Sequence, residues 1–156
     1  MAKDRTVDTA SETPEGDRVA EGRRLHEISV DLEVPFHDVD PMGIVWHGHY
    51  YRYFDAARTQ LLRSCGLDAG KLIGGKYVFM VAESRCRHLF PLRYGERFRV
   101  AAWFRDVEHR LKISFEVINL DHDRRSARGH TTIVCVDDDG QLLWKTPSAI
   151  LERIRV

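Results

Sequence analysis

Residues 36–58 read FHDVDPMGIVWHGHYYRYFDAAR, and this stretch decides the fold of the chain. Its first part holds Pro41, Gly43 and two aspartates, a composition typical of a turn because Asp side chains bond nearby backbone amides. From Gly48 to about Cys65 the apolar residues recur every three or four positions, which predicts an amphipathic helix of roughly four to five turns. The sequence therefore predicts a polar loop that runs directly into a long helix.

The sequence on either side of this helix has the period-two alternation of half-buried strands. Gly66 has the position of a glycine cap that ends the helix, with Arg63 complementing the dipole of the last turn. Residues 106–110 predict a hairpin turn, residues 120–129 a loop and residues 137–140 a second turn. The predicted strands are 25–34, 77–81, 84–90, 97–105, 111–117, 130–137 and a last strand that ends near Ile154.

One strand, one long helix and about five further antiparallel strands describe an α+β domain in which a curled sheet wraps a single helix. Most of the helix surface would then be buried. The helix carries apolar residues on more than one face, as this arrangement requires: Tyr50, Tyr51, Tyr53, Phe54, Ala56, Ala57, Leu61 and Leu62.

The domain is predicted to span residues 25–156, behind a flexible polar tail formed by residues 1–24. The tail holds almost nothing apolar, so burial cannot offset the entropy lost on ordering it. The whole chain has 156 residues, 43% of them hydrophobic, which suffices for one domain with its own core.

Charge and composition exclude several classes of function. The formal net charge is zero, so the broad positive field that binds nucleic acid or an anionic membrane is absent. Three widely spaced cysteines without a CxxC pair argue against a disulfide framework or a zinc cluster and favour the cytoplasm. Neither a signal peptide nor a run of about 18 apolar residues is found, so we expect no export and no membrane span.

The loop and helix carry the pattern D-x-D-x-x-G-I-V-x-H-x-x-Y-x-x-x-F-x-x-A-R in residues 38–58. This string resembles the 4-hydroxybenzoyl-CoA thioesterase family of hotdog proteins, which includes the bacterial Tol-Pal-associated acyl-CoA thioesterases. The later segment AESRCRHLFPLRYGERF is similar to the middle strands of that family, so the resemblance covers about residues 26–155. It implies a hotdog fold, a homodimer or homotetramer formed through the sheet, active sites at subunit interfaces and an acyl-CoA substrate.

The resemblance also implies the site residues. It makes Asp40 the catalytic carboxylate and places at His47 the amide that polarises the thioester carbonyl. Gly43, Val45 and Tyr50 are expected on the substrate-binding side.

The chemistry of thioester hydrolysis fits these positions without a cofactor or a metal. A carboxylate either attacks the carbonyl carbon or acts as general base on water, and the sequence leaves both open. Unpaired amides at a helix N-terminus suit the oxyanion that develops. From the residues alone, Asp40 is a turn aspartate, Asp38 stabilises the turn or supports the site, and Asp55 is solvated or salt-bridged.

Other readings stay open at this point. The substrate is a coenzyme A thioester or an acyl-carrier-protein thioester, and a hotdog hydratase or dehydratase is the rival enzyme. A non-catalytic acyl-binding protein and a metal site built from Asp38, Asp40, His47 and His49 are the remaining classes. If coenzyme A binds, its phosphates need basic partners, for which the candidates are Arg85, Arg87, His88 and Arg93.

Overall fold

The computed structural model describes residues 23–68 and 75–155 of the chain. Nearly all of the predicted tail lies outside these residues, so that prediction stays untested. None of the helices in the two described ranges has both the length and the apolar character needed to cross a membrane. The elements in chain order are β1 (Leu25–Glu33), a 3-10 turn (Phe36–Asp38), α1 (His49–Ser64), β2 (Tyr77–His88), β3 (Arg97–Asp106), β4 (Leu111–Asn119), β5 (Arg124–Asp137) and α2 (Ser148–Arg155).

The five strands form one antiparallel sheet in the order β1-β3-β4-β5-β2. β3 and β4 form the predicted hairpin and lie in the middle of the sheet. Their alternating apolar residues make one face of the sheet the floor of the core, because successive side chains in a strand point to opposite faces. The buried residues on this floor are Phe98, Val100, Ala102, Phe104, Leu111, Ile113, Phe115 and Val117.

α1 packs across this floor, as the sequence predicts. The ring of Phe54 stacks on that of Phe115 with centroids 4.5 Å apart. A Cβ built on Gly129 in β5 would lie 2.7 Å from Cε2 of Phe54 and 2.1 Å from the carbonyl oxygen of Arg85. The glycine therefore lets the helix and strand β2 approach β5 closely.

The end of α1 also agrees with the prediction. Gly66 has φ +69°, the left-handed conformation that favours glycine. The amide of Gly66 donates to the carbonyl of Arg63, and the amide of Leu67 donates to that of Leu62. These two bonds make a Schellman cap that satisfies the last carbonyls of the helix.

α1 buries one stripe, and the prediction that more than one face is buried is wrong for the single chain. The stripe consists of Tyr50, Tyr53, Phe54, Ala57, Leu61 and Leu62, whereas Tyr51 is 40% exposed. Within the described residues the sheet covers this helix from one side, which leaves the opposite side open.

Two predicted strand boundaries are wrong. The runs 77–81 and 84–90 form one strand, β2, with a bulge between Val81 and Glu83. The bulge inserts one extra residue into the strand, so the alternation of buried and exposed residues changes phase. Tyr77 and Phe79 face the core before the bulge, and Cys86 faces it after the bulge. β5 begins at Arg124 inside the predicted loop, because residues 120–123 suffice for the turn and Asp123 takes φ +50°.

The predicted last strand is also wrong, since residues 148–155 form the helix α2. Ile150 and Ile154 are its buried residues and are four positions apart, which places both on one helix face. Pro147 precedes the helix, and Arg153 donates to the carbonyl of Gly66 at the end of α1 at 2.6 Å. α2 thus closes the core where α1 ends.

The three cysteines are free, and two of them, Cys65 and Cys135, are fully buried. Burial raises the pKa of the Cys86 thiol and that of Cys135 to about 11. The pKa of Cys65 is also raised by burial.

Candidate active site

Residues 38–46, called here the 38–46 loop, form a narrow hairpin that runs into α1. The amide of Trp46 donates to the carbonyl of Asp38 at 3.0 Å, and the amide of Asp40 donates to that of Ile44 at 2.8 Å. At the tip the amide of Gly43 donates to the carbonyl of Asp40 at 2.9 Å. Gly43 has φ +81°, so glycine suits this position for backbone reasons alone.

Asp40 lies at the tip of this hairpin and is partly exposed. Its Oδ1 accepts a hydrogen bond from the amide of Met42 at 2.9 Å, which is the turn geometry that the residue type predicts. Among residues 23–68 and 75–155 no donor bonds its other carboxylate oxygen. The hydrogen bond to one oxygen therefore fixes the side chain, while the second oxygen is available to react or to accept a proton.

Asp38 has the opposite environment, with only 1% of its surface exposed. The hydroxyl of Tyr53 donates to Oδ2 at 2.5 Å, and Arg52 donates to Oδ1. His37 and His49 lie 3.6 Å and 3.8 Å from Oδ1. Burial alone would raise the pKa of Asp38, but the hydrogen bonds from Tyr53 and Arg52 outweigh it and hold the pKa below its ordinary value.

Arg52 and Tyr53 are the site residues that the sequence analysis missed. The pattern of apolar residues placed Tyr53 on the helix surface to be buried and gave no role to Arg52. The available signal was their place early in α1, directly after a loop that holds a carboxylate. The spacing does not show which loop residue the side chains of Arg52 and Tyr53 contact, because that depends on how the hairpin packs against the helix.

The start of α1 offers backbone donors next to the 38–46 loop. Gly48 precedes the helix without a side-chain cap. In the described part of the chain, neither the amide of His47 nor that of Gly48 bonds a backbone carbonyl. These amides carry the partial positive charge of a helix N-terminus and suit an oxyanion.

The side chain of His47 is exposed, and its ring lies between two other aromatic rings. Its centroid is 5.1 Å from Trp46 and 6.3 Å from His88. A Cβ built on Gly48 would lie 2.2 Å from the Trp46 ring, so this indole covers the glycine. The pKa of His88 is lowered by burial and by the neighbouring His47.

Val45 and Tyr50 are both 3% exposed and belong to the core that supports the loop. The amide of Val45 donates to the carbonyl of Leu92 at 2.8 Å. The Tyr50 ring meets His88 edge to face with centroids 4.6 Å apart, and burial, followed by Cys86, raises the pKa of Tyr50 to about 12. In the single chain both side chains are buried in the core, Val45 from the loop itself and Tyr50 from α1.

The basic candidates separate into two groups. Arg93 pairs with Ile44 in an isolated β-bridge, and His88 faces His47, so both lie beside the 38–46 loop. Arg85 and Arg87 are exposed residues of β2, which pairs them with β5.

The structure also shows the surroundings of two alternatives that the sequence offered, the Asp55 carboxylate and a metal site. Asp55 is exposed on α1 and forms an ion pair with Arg58 at 2.9 Å, as predicted. In residues 23–68 and 75–155, the acidic and histidine side chains that lie close enough to share an ion are Asp137, Asp138 and Asp139, in an exposed turn. Among the same residues, the proposed ligands Asp38, Asp40, His47 and His49 do not form such a group, and Asp38 is paired with Arg52.

Fold and loop together define the class of the protein. A solved structure of gentisyl-coenzyme A thioesterase BH1999 is similar over 83% of this chain and 100% of that chain, with 25% identity and a TM-score of 0.70. The predicted hotdog fold, a curled antiparallel sheet with one long helix, is thereby confirmed.

The chain belongs to the thioesterase-like superfamily, whose family model matches residues 34–154. The predicted class, a thioester hydrolase, is confirmed. The acyl-CoA thioester hydrolase YbgC of Escherichia coli O6:H1 is 22% identical over 107 residues, which cover 68% of this chain and 79% of YbgC. The 4-hydroxybenzoyl-CoA thioesterase of Pseudomonas sp. strain CBS-3 is 42% identical over 40 residues, 26% of this chain and 28% of that enzyme.

Proposed function

We propose that this protein hydrolyses an acyl-CoA thioester to the free acid and coenzyme A, with Asp40 as the reacting carboxylate. The observation that carries the proposal is the free oxygen of Asp40 on a hairpin that leads into uncapped helix amides. Several relatives are named for coenzyme A esters, which supports this carrier, whereas the acyl-acyl carrier protein thioesterase ATL3 of Arabidopsis thaliana, 30% identical over 78 residues, is named for the alternative carrier.

Two routes use the same groups. As nucleophile, a carboxylate oxygen of Asp40 bonds the thioester carbon, the carbon–sulfur bond breaks, and water then hydrolyses the mixed anhydride. As general base, Asp40 takes a proton from water, the hydroxide bonds the carbon, and the departing thiolate receives a proton. In both routes we assign the negative carbonyl oxygen to the amides of His47 and Gly48.

The acyl group needs an apolar wall beside Asp40, and we assign it to Gly43, Val45 and Tyr50. Val45 in the loop and Tyr50 in α1 are both buried, so they would form the base of the pocket rather than its mouth. Gly43 has no side chain, so only its backbone lies at the tip of the loop.

We also propose that the protein is a homodimer or homotetramer joined through β2. This strand is an edge of the sheet, and it exposes Val78, Met80 and Val81 by 53%, 50% and 48%. An exposed apolar edge strand readily pairs with another strand. A cytoplasmic location stays our prediction.

The test measures free-thiol release with a chromogenic disulfide over short, long and aromatic acyl-CoA esters. Asp40→Asn is expected to fold normally and lose turnover by about 10²-fold or more, because it removes the reacting carboxylate but keeps its shape. The matched control is Asp55→Asn, an exposed carboxylate on α1, which should retain wild-type turnover.

The outcomes separate the alternatives. Turnover that persists in Asp40→Asn would contradict the assignment of Asp40 and direct attention to Asp38. If no acyl-CoA ester is hydrolysed, acyl-carrier-protein thioesters are tested next, and the hydration of enoyl-CoA esters tests the dehydratase reading.

A further inference from the structure

The buried carboxylate of Asp38 joins the two parts of the proposed site. Its backbone carbonyl closes the base of the 38–46 hairpin by accepting from the amide of Trp46. Its side chain bonds α1 through Arg52 and Tyr53, one donor for each oxygen. The side-chain partners lie within the first five residues of α1, the helix into which the hairpin leads.

Stability alone is a weak explanation for this arrangement. Removing a carboxylate from water is unfavourable, and apolar residues of similar volume often replace a buried ion pair without loss of stability. A bidentate arrangement, in which each carboxylate oxygen has its own donor, instead fixes the direction of the side chain. Asp38 therefore sets the position of the hairpin relative to the helix.

We propose that Asp38, Arg52 and Tyr53 form a positioning clamp that sets the distance between the Asp40 carboxylate and the amides that begin α1. The clamp does not touch the substrate. The proposal rests on the proposed function, because it assumes that Asp40 and these amides act on the same thioester. A shift of about 1 Å between reacting groups can lower a rate by roughly 10²-fold, so a clamp of this kind would act on turnover.

The experiment compares Arg52→Ala and Tyr53→Phe with a control on the same helix. Arg63 is the matched residue, because Arg52 and Arg63 are each 54% exposed and each pairs with an aspartate, but the partner of Arg63 is the exposed Asp68. Asp38 itself is left unchanged in this experiment, since removing its buried charge changes stability as well and would obscure the effect on turnover.

We expect Arg52→Ala and Tyr53→Phe to lower kcat by about 10-fold or more, because the reacting groups are displaced while the substrate site is intact. KM should stay within about two-fold, and Arg63→Ala should match the wild type in both constants. Guanidinium ion added at millimolar concentration should restore part of the kcat of Arg52→Ala, because this half-exposed position admits it, and should leave Arg63→Ala unchanged.

Three sets of results would overturn the clamp. If the wild type is active and Asp40→Asn is not, normal kcat in both Arg52→Ala and Tyr53→Phe overturns the clamp alone. A kcat that falls only with the folded fraction, measured by circular dichroism, and that guanidinium does not restore shows a structural role and overturns it as well. A wild type without turnover on any thioester overturns both the clamp and the proposed function.

Discussion

Asp38 and Asp40 are separated by one residue and meet opposite environments. Asp38 is enclosed and bonded through both oxygens, whereas Asp40 is partly exposed and bonded through one. A sequence shows two aspartates in a turn and cannot rank them by exposure, because exposure depends on how the loop packs against α1. The resemblance to a family, and not the residue type, singled out Asp40.

The lowered pKa of Asp38 predicts how acid affects folding. Its folded pKa lies below the unfolded value of about 3.9, so its contribution is present above that pH and is lost as the pH falls through the folded pKa. We expect Asp38→Asn to reduce the slope of unfolding free energy against pH below about pH 4. Urea unfolding from pH 6 to pH 3 measures this slope, with Asp55→Asn as control. Equal slopes in the wild type and Asp38→Asn would contradict the prediction.

Gly129 is predicted to be intolerant of a side chain. The added methyl group of Gly129→Ala would collide with the backbone of β2 and the ring of Phe54. We expect a loss of about 1–3 kcal/mol, since overpacking outweighs the roughly 0.4–1 kcal/mol gained by restricting the unfolded chain. Chemical denaturation measures the difference, and His130→Ala, on the opposite face of β5, is the control. If Gly129→Ala were more stable than the wild type, α1 and the sheet would have moved apart at little cost in free energy, which would contradict the prediction.

At the scale of elements, alternation predicts the strands that bury one continuous face. β3 and β4 are correct because Phe98 to Phe104 and Leu111 to Val117 keep one phase throughout. β2 was divided because its bulge changes that phase, and the pattern of apolar residues does not distinguish a bulge within one strand from a break between two strands. The sheet order needs contacts between distant segments, which local periodicity does not contain.

The C-terminal segment shows another limit of local patterns. Residues 148–155 read SAILERIR, and a segment this short, with four apolar and four polar residues, does not distinguish a strand from a helix by periodicity. The decision comes from the core, which leaves a gap at the end of α1 that Ile150 and Ile154 fill from one helix face. Packing against the core, and not the composition of the segment, therefore determines that these residues form a helix.

This role of α2 predicts a measurable stability contribution. Ile154 is completely buried, so Ile154→Ala should lower the free energy of unfolding by about 2–5 kcal/mol through lost burial and the cavity left behind. Glu152→Ala, on the exposed side of the same helix, should change it by less than about 0.5 kcal/mol. Thermal and urea unfolding provide the comparison. A small effect of Ile154→Ala would mean that α2 is not part of the cooperative core.

For the whole molecule, the asymmetry of the sheet edges predicts where copies meet. β1 and β2 are the two edges, and β2 carries the exposed apolar residues. We expect light scattering to return two or four times the chain mass of 18.1 kDa. Met80→Lys should shift the mass toward one chain, because a charged side chain on an edge strand opposes pairing.

Glu33→Lys on β1 is the matched control, since it places the same charge at the opposite edge. It should leave the assembly intact. A monomeric wild type would contradict self-association, and a monomer produced by Glu33→Lys but not by Met80→Lys would assign the interface to β1.

The three enclosed thiols have a practical consequence for enzymology. At pH 8, a thiol with a pKa near 11 is ionised in only about one molecule in a thousand, and the thiolate is the form that reacts with a disulfide reagent. Cys86 and Cys135 of the folded protein are therefore expected to add little background when the released coenzyme A is counted. A slow rise in colour in a control without substrate would report unfolding, so the same reagent gives both the activity and the integrity of the enzyme.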